Sequence, residues 1–168
     1  MSAGFPGSEP SPPQRQRIAA YAVLTRAGDE AGGGRVEVLL TRMSSRTRIE
    51  GWWTLPGGGI DHGEDPRDAV RREVHEETGL HVEPGRVLDV HSTHFTGARA
   101  DGKVEDYHGV HVIFEASVLP QSLGVEPHVV EEDGSTDLSA WLPLNEAIEL
   151  DLLGAARHAL VLVGSDQR

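Results

Sequence analysis

Residues 57–80 read GGGIDHGEDPRDAVRREVHEETGL, and this stretch decides how the chain is read. Its second half has helical spacing. Glu73, Glu76 and Glu77 stand at i, i+3 and i+4, so at about 100° per residue they share one arc of a helix. Val70, Val74 and Thr78 fall on the adjacent arc and can face a core. Asp65 suits the N-cap, with Pro66 at the first helical position. Gly79 suits the C′ position, where a glycine closes many helices.

The carboxylate stripe is a poor choice for stability alone. Side chains at these spacings have Cβ atoms about 5–6 Å apart. Two like charges at that range repel by roughly 3 kcal/mol at an effective dielectric of about 20. Glu76 and Glu77 also lie in the last turn, where the helix dipole favours cations. A divalent cation would relieve both penalties. The cluster offers oxygen ligands alone, which suit Mg²⁺, Mn²⁺ or Ca²⁺. The acidic loop of an EF-hand is absent, and a carboxylate helix facing an open cleft suits Mg²⁺, which keeps waters and shares substrate phosphates. Gly57, Gly58 and Gly59 carry no side chain to block a ligand, so their backbone can approach a metal or a phosphate.

The rest of the chain bounds the answer. Its 168 residues suit one domain. The net charge of −12 disfavours a nucleic-acid polymer or an anionic membrane as partner. A small phosphorylated ligand stays open, because a bound cation inverts the local field. There is no cysteine, which excludes disulfides and thiolate metal sites and fits a cytoplasmic setting. The first residues lack the basic start and apolar run of a secretory signal. The apolar run 159–163 is far too short to span a bilayer.

Residues 1–14, rich in Pro, Gly and Ser, read as a disordered tail before a domain over 15–168. Residues 18–24 and 35–41 read as two strands of a hairpin with a loose glycine loop. An arginine-bearing loop (42–51) and a short strand at 52–55 follow. Two long strands, 87–95 and 104–118, flank a turn at 97–102. An acidic loop (126–137) leads to a short strand at 140–142. Helices are expected over 145–150 and 155–163. This order argues for an α/β fold with a sheet that is partly antiparallel.

The stretch from Gly58 to Leu80 also resembles a known signature. The Nudix box reads G-x5-E-x7-R-E-U-x-E-E-x-G-U, with U a bulky aliphatic residue. Gly58, Glu64, Arg72, Glu73, Val74, Glu76, Glu77, Gly79 and Leu80 fill its fixed positions. The resemblance implies a Nudix-type α/β/α sandwich with a mixed β-sheet. It implies Glu73, Glu76, Glu77 and the Gly57 carbonyl as ligands for Mg²⁺ or Mn²⁺, and Arg72 as the residue that orients the glutamates. It makes Glu64 a support for the loop or a further metal. The implied activity is hydrolysis of a nucleoside diphosphate linked to another moiety, with a carboxylate as general base. For that base Glu73, Glu76 and the acidic-loop residues Glu131, Glu132 and Asp133 are all open. Homodimers are common in the family, so a second copy is among the expected partners.

For the substrate, Arg42, Arg48, Gly58 and Gly59 are the binding candidates, with Arg46 beside them. The pattern from Leu39 to Arg48 resembles an upstream motif of coenzyme A-cleaving relatives. It is one residue short before Gly51 and has Leu55 where that motif has Phe. Phe95 stands where ADP-ribose pyrophosphatases have proline. Trp52, Trp53, Phe95 and Tyr107 are the aromatic candidates for stacking on a base. The rival readings are a non-hydrolytic Nudix-fold sensor, which the complete glutamate set disfavours, and a coenzyme A diphosphatase, which the imperfect upstream motif disfavours. A zinc site from His91 with His94, or His108 with His111, is disfavoured because strand residues three apart face opposite ways.

Overall fold

The computed structural model describes residues 11–28, 35–98 and 102–166. Residues 1–10 of the expected tail, the glycine loop at 32–34 and part of the turn at 97–102 lie outside the described residues.

The organising strand is β1 (Gln14–Val23). Its Ala19, Ala20, Ala22 and Val23 are all buried. This is the continuous apolar run of a strand covered on both faces. β1 pairs in parallel with β7 (Val104–Val118) from Gln14 opposite Asp106 to Val23 opposite Glu115. On its other side it pairs antiparallel with β5 (Gly57–Gly59). β7 pairs antiparallel with β6 (Val82–Ala98), which completes a mixed sheet in the order β5-β1-β7-β6. Past Leu24 the chain enters a second, antiparallel sheet. There β2 (Thr25–Ala27) pairs with β3 (Val36–Met43), and β3 also pairs with β4 (Trp53–Thr54) and β8 (Thr136–Pro143). The hairpin expected between 18–24 and 35–41 is therefore divided. Residues 25–27 and the Leu24 carbonyl, which accepts from the Leu39 N–H at 3.0 Å, meet β3. The rest of β1 has both edges occupied by β5 and β7.

Strand alternation sends side chains to two cores. Ala20, Ala22, Leu39 and Phe114 pack with Ala69, Val70 and Val74 of helix α1 (Pro66–Thr78). Val23, Val38, Leu40 and Ile113 pack on the other side with Ala155, Ala156, Ala159 and Leu160 of helix α3 (Gly154–Asp166). The sheets are thus sandwiched between α1 and α3, as an α/β/α arrangement requires. The expected caps of α1 are in place. The Asp65 side chain accepts from the Arg67 N–H at 2.8 Å. Gly79 takes the left-handed conformation with φ 69°, and its N–H donates to the His75 carbonyl at 2.8 Å.

Several boundaries differ from the sequence reading, among them the start of β1, which lies at Gln14 rather than 18 and so takes in the last residue of the expected tail. β6 begins at Val82 rather than 87, and carries Pro84 and Gly85. Proline is tolerated because β6 is an edge strand whose register shifts between Pro84 and Asp89. β8 runs over Thr136–Pro143 rather than 140–142. The helix expected over 145–150 is one turn, α2 (Leu144–Ala147). Phe114, 2% exposed in the α1-side core, is the largest side chain buried there. Phe114→Ala should cost about 3–5 kcal/mol, measured as a lower urea midpoint with an unchanged slope.

Candidate functional site

The site starts from a strand without side chains. The glycine run is β5, with Gly57, Gly58 and Gly59 opposite Tyr21, Ala20 and Ala19. Each missing Cβ leaves room that the protein itself uses. A Cβ on Gly58 would lie 2.6 Å from the Glu73 carboxylate. One on Gly59 would lie 2.7 Å from an Arg17 guanidinium nitrogen. One on Gly57, whose φ is 138°, would lie 2.3 Å from the Ala20 carbonyl oxygen. Successive strand residues face opposite ways. A bare edge strand therefore lets a carboxylate from one face and a guanidinium from the other share one space.

Helix α1 supplies the acids. Glu77 is 6% exposed. Its Oε2 accepts from the Gly57 N–H at 2.9 Å, and its Oε1 accepts from the Thr136 hydroxyl at 2.7 Å. Burial pushes its carboxyl up to about 7, with the nearby charges of Glu73 and Glu131 adding and the two donors opposing. Burial also raises Glu73, against the pull of Arg72. Arg72 is the hub. It donates to both Glu64 oxygens at 2.8 and 2.9 Å, to Glu73 at 2.8 Å, to Glu76 at 3.4 Å and to the Gly59 carbonyl at 3.0 Å. The fork on Glu64, with the Asp61 N–H, holds that carboxyl down at about 2. Three carboxylates thus share one guanidinium, and Glu77 lies beside them without contact to it.

Among the described residues no three His, Asp or Glu side chains form a ready-made metal cage. The reason is visible: Glu77 is engaged by Gly57 and Thr136, while Arg72 draws Glu73 and Glu76. The donor set still fits a hard divalent cation. It is all oxygen, it is partly desolvated, and its charge exceeds what Arg72 neutralises.

The carboxylates Glu73 and Glu77 line a cleft of about 500 Å³, together with Gly57, Gly58, Arg48, Arg15, Arg17 and Tyr21. Of the expected substrate contacts, Gly58 and Arg48 reach it; Arg48 also donates to the Ala98 carbonyl at 3.1 Å. Gly59 does not line it, and Arg42 is turned to Asp137, to which its Nε donates at 2.9 Å. Arg46 is paired with Asp133. The sequence reading missed Arg15, Arg17 and Tyr21. They lie on β1, more than forty residues before the helix, but their i, i+2 spacing marks one strand face. Burial pushes Tyr21 up to about 12, so its phenol keeps the proton and can donate.

The acidic loop has another role. The N–H groups of Val130 and Glu131 donate to the Glu76 carbonyl at 2.9 and 3.0 Å, and that of His128 to the Thr78 carbonyl at 3.0 Å. It thereby satisfies the open carbonyls at the end of α1. Glu131, Glu132 and Asp133 do not line the cleft. The histidines divide as their spacing requires, His91 stacking on His111 and His94 meeting His108. Trp53 packs against the α3-side core, while Phe95 is exposed beside Tyr107. A cavity of about 590 Å³ lies by Gln16, Ser92, His94, Asp106 and His108. Its polar groups satisfy one another, His94 with Asp106 at 2.6 Å and His108 with Ser92 at 2.8 Å and Gln16 at 2.9 Å. The unbalanced charge lies in the smaller cleft.

Comparison with known proteins agrees with this geometry. The chain is 38% identical over 84 residues to the human 8-oxo-dGDP phosphatase NUDT18, a match covering 50% of this chain and 24% of that protein. The stretches matched in the curated relatives are less than a third of those proteins' length. The MutT NUDIX hydrolase of Burkholderia pseudomallei superposes with a TM-score of 0.61 at 28% identity, covering 89% of this chain and 99% of that one. The NUDIX domain of Shewanella oneidensis NrtR, solved with ADP ribose, superposes with a TM-score of 0.65 at 22% identity, covering 92% and 90%. The model of the NUDIX domain family matches residues 15–162, and the chain belongs to that family.

Proposed function

We propose that this chain is a Mg²⁺- or Mn²⁺-dependent hydrolase that cuts the diphosphate bond of a nucleoside diphosphate linked to another moiety. The observation that carries the reading is the desolvated pair Glu73 and Glu77, held against a bare edge strand in a cleft that also presents arginines. The substrate class is supported by the ADP ribose of the Shewanella domain and the 8-oxo-dGDP in the name of the human relative.

Glu73, Glu76 and Glu77, with the Gly57 carbonyl, would hold the cation. Bound there, it would supply charge neutralisation at the phosphates and a lowered pKa for water. The chain's own residues do the rest. Arg72 fixes Glu73 and Glu76 and ties the helix to the Gly59 carbonyl and Glu64. Gly57 and Thr136 fix Glu77. Water adds to one phosphorus, the bridging P–O bond breaks, and the second phosphate leaves with the electron pair. The water's proton goes to a carboxylate. Of the candidate bases, Glu73 is the one that lines the cleft. A small-molecule substrate in a cytoplasmic setting accords with the net charge of −12 and the lack of cysteine. No helix among the described residues is long and apolar enough to cross a membrane.

The test is a panel of nucleoside diphosphate sugars, dinucleoside polyphosphates and oxidised nucleotides with Mg²⁺ or Mn²⁺, scored for released phosphate esters. Glu77→Gln should lower kcat/KM by ~100-fold or more, about 3 kcal/mol of transition-state stabilisation, while the circular dichroism stays native. A variant as active as wild type would refute the assigned role.

The raised Glu77 carboxyl gives a second, metal-free test. A group raised from 4.5 to about 7 favours folding below pH 4.5 and loses that contribution as pH climbs through 7. The span corresponds to about 3 kcal/mol. Urea unfolding without metal should therefore show wild type losing stability relative to Glu77→Gln between pH 4 and pH 8. Mg²⁺ or Mn²⁺ should restore wild type at pH 8 and do little at pH 4.

A further inference from the structure

One guanidinium of the cleft has no contact partner among the described residues, although its charge favours the Glu73 carboxylate from a distance. Arg72 is spread over three glutamates and a carbonyl. Arg15 lies 3.6 Å from Glu105, and Arg48 donates to the Ala98 carbonyl. Arg17 lines the same cleft, and among the described residues its guanidinium makes neither a hydrogen bond nor an ion pair. Its guanidinium lies across the backbone of Gly59, where a side chain would displace it. Gly59 has no positive φ that would demand glycine. Its bareness serves Arg17.

We propose that Arg17, laid over the bare backbone of Gly59 and facing the Glu73–Glu77 carboxylates across the cleft, binds a phosphate of the substrate and so selects for phosphoanions. This rests on the diphosphate-hydrolase reading above and names a specificity residue within it. An acidic protein repels an anionic substrate at long range, so the entry needs a local positive group. A guanidinium presents a planar fork that matches two phosphate oxygens, which makes arginine rather than lysine the suited residue. The five donors of Arg17 are unclaimed, so binding need not break an existing ion pair. Arg17 and Glu73 approach from opposite faces of the sheet around its bare edge. A phosphate at Arg17 is thereby set beside the carboxylate cluster.

Two variants separate this role from a merely electrostatic one. Arg17→Ala removes the charge. Gly59→Ala keeps the charge but moves the guanidinium, a small adjustment for the far end of a flexible side chain. The binding probes are inorganic pyrophosphate and the methylene-bridged analogue of ADP, against adenosine as the phosphate-free control and Mn²⁺ alone. Both variants should weaken the two phosphate probes about 10-fold or more. Adenosine should be unchanged and Mn²⁺ alone should bind no less tightly. KM for the hydrolysed substrate should rise more than kcat falls, and Arg17→Lys should recover part of the loss. Phosphate probes that bind both variants as they bind wild type overturn the proposal, as does a loss equal for adenosine. If wild type hydrolyses nothing in the panel, the hydrolase reading fails, while the pyrophosphate titration still decides whether Arg17 holds a phosphate.

Discussion

The structure depends on the close contact between the acidic face of α1 and a strand made of glycine. The Glu73 carboxylate sits where a Gly58 side chain would be, and Glu77 is buried on the Gly57 N–H. Any side chain on Gly58 would push the helix acids away from the sheet. Burying carboxylates without a matching charge is costly. The fold limits that cost with three devices: the Arg72 hub, the Thr136 hydroxyl and the backbone donor of Gly57. None neutralises the whole cluster. On the proposed function, the remaining charge imbalance is what a cation, and through it a phosphate, would answer.

The cores on the two sides of the sheet hold this contact in place. Val70 and Val74 lock one face of α1 against Ala20, Ala22 and Phe114. That leaves the adjacent arc, with Glu73 and Glu77, turned to the β5 edge. β1 links the parts. Its apolar end anchors both cores, while its polar end carries Arg15 and Arg17 toward the cleft. The acidic loop holds the last turn of the helix through backbone N–H groups and adds the charge of Glu131 near Glu77.

Much of this was legible in the sequence, because the informative signals were local. The cap at Asp65, the αL glycine at Gly79 and the spacing of the three glutamates concern neighbours in the chain, and the helix formed as they indicate. What escaped was set by long-range pairing. A glycine run has low strand propensity, so β5 is a strand only because β1 offers it an edge. Pro84 and Gly85 hid the start of β6, which tolerates them at the sheet edge. Arg17 sits forty-two residues before Gly59, and nothing local links them. Arg42 looked like a phosphate ligand by its neighbourhood, but the pairing of β3 with β8 brings it to Asp137 instead.

The central claim is that the helix acids work because Gly58 leaves them room. Gly58 has no positive φ, so alanine is compatible with its backbone, and the nearest group its Cβ meets is the Glu73 carboxylate. The direct measurement is a Mn²⁺ titration followed by electron paramagnetic resonance, on wild type and Gly58→Ala at pH 8. Wild type should take up Mn²⁺, and the folded variant should bind it about 10-fold more weakly or worse. Equal uptake by the two proteins, or none by wild type, would contradict the account.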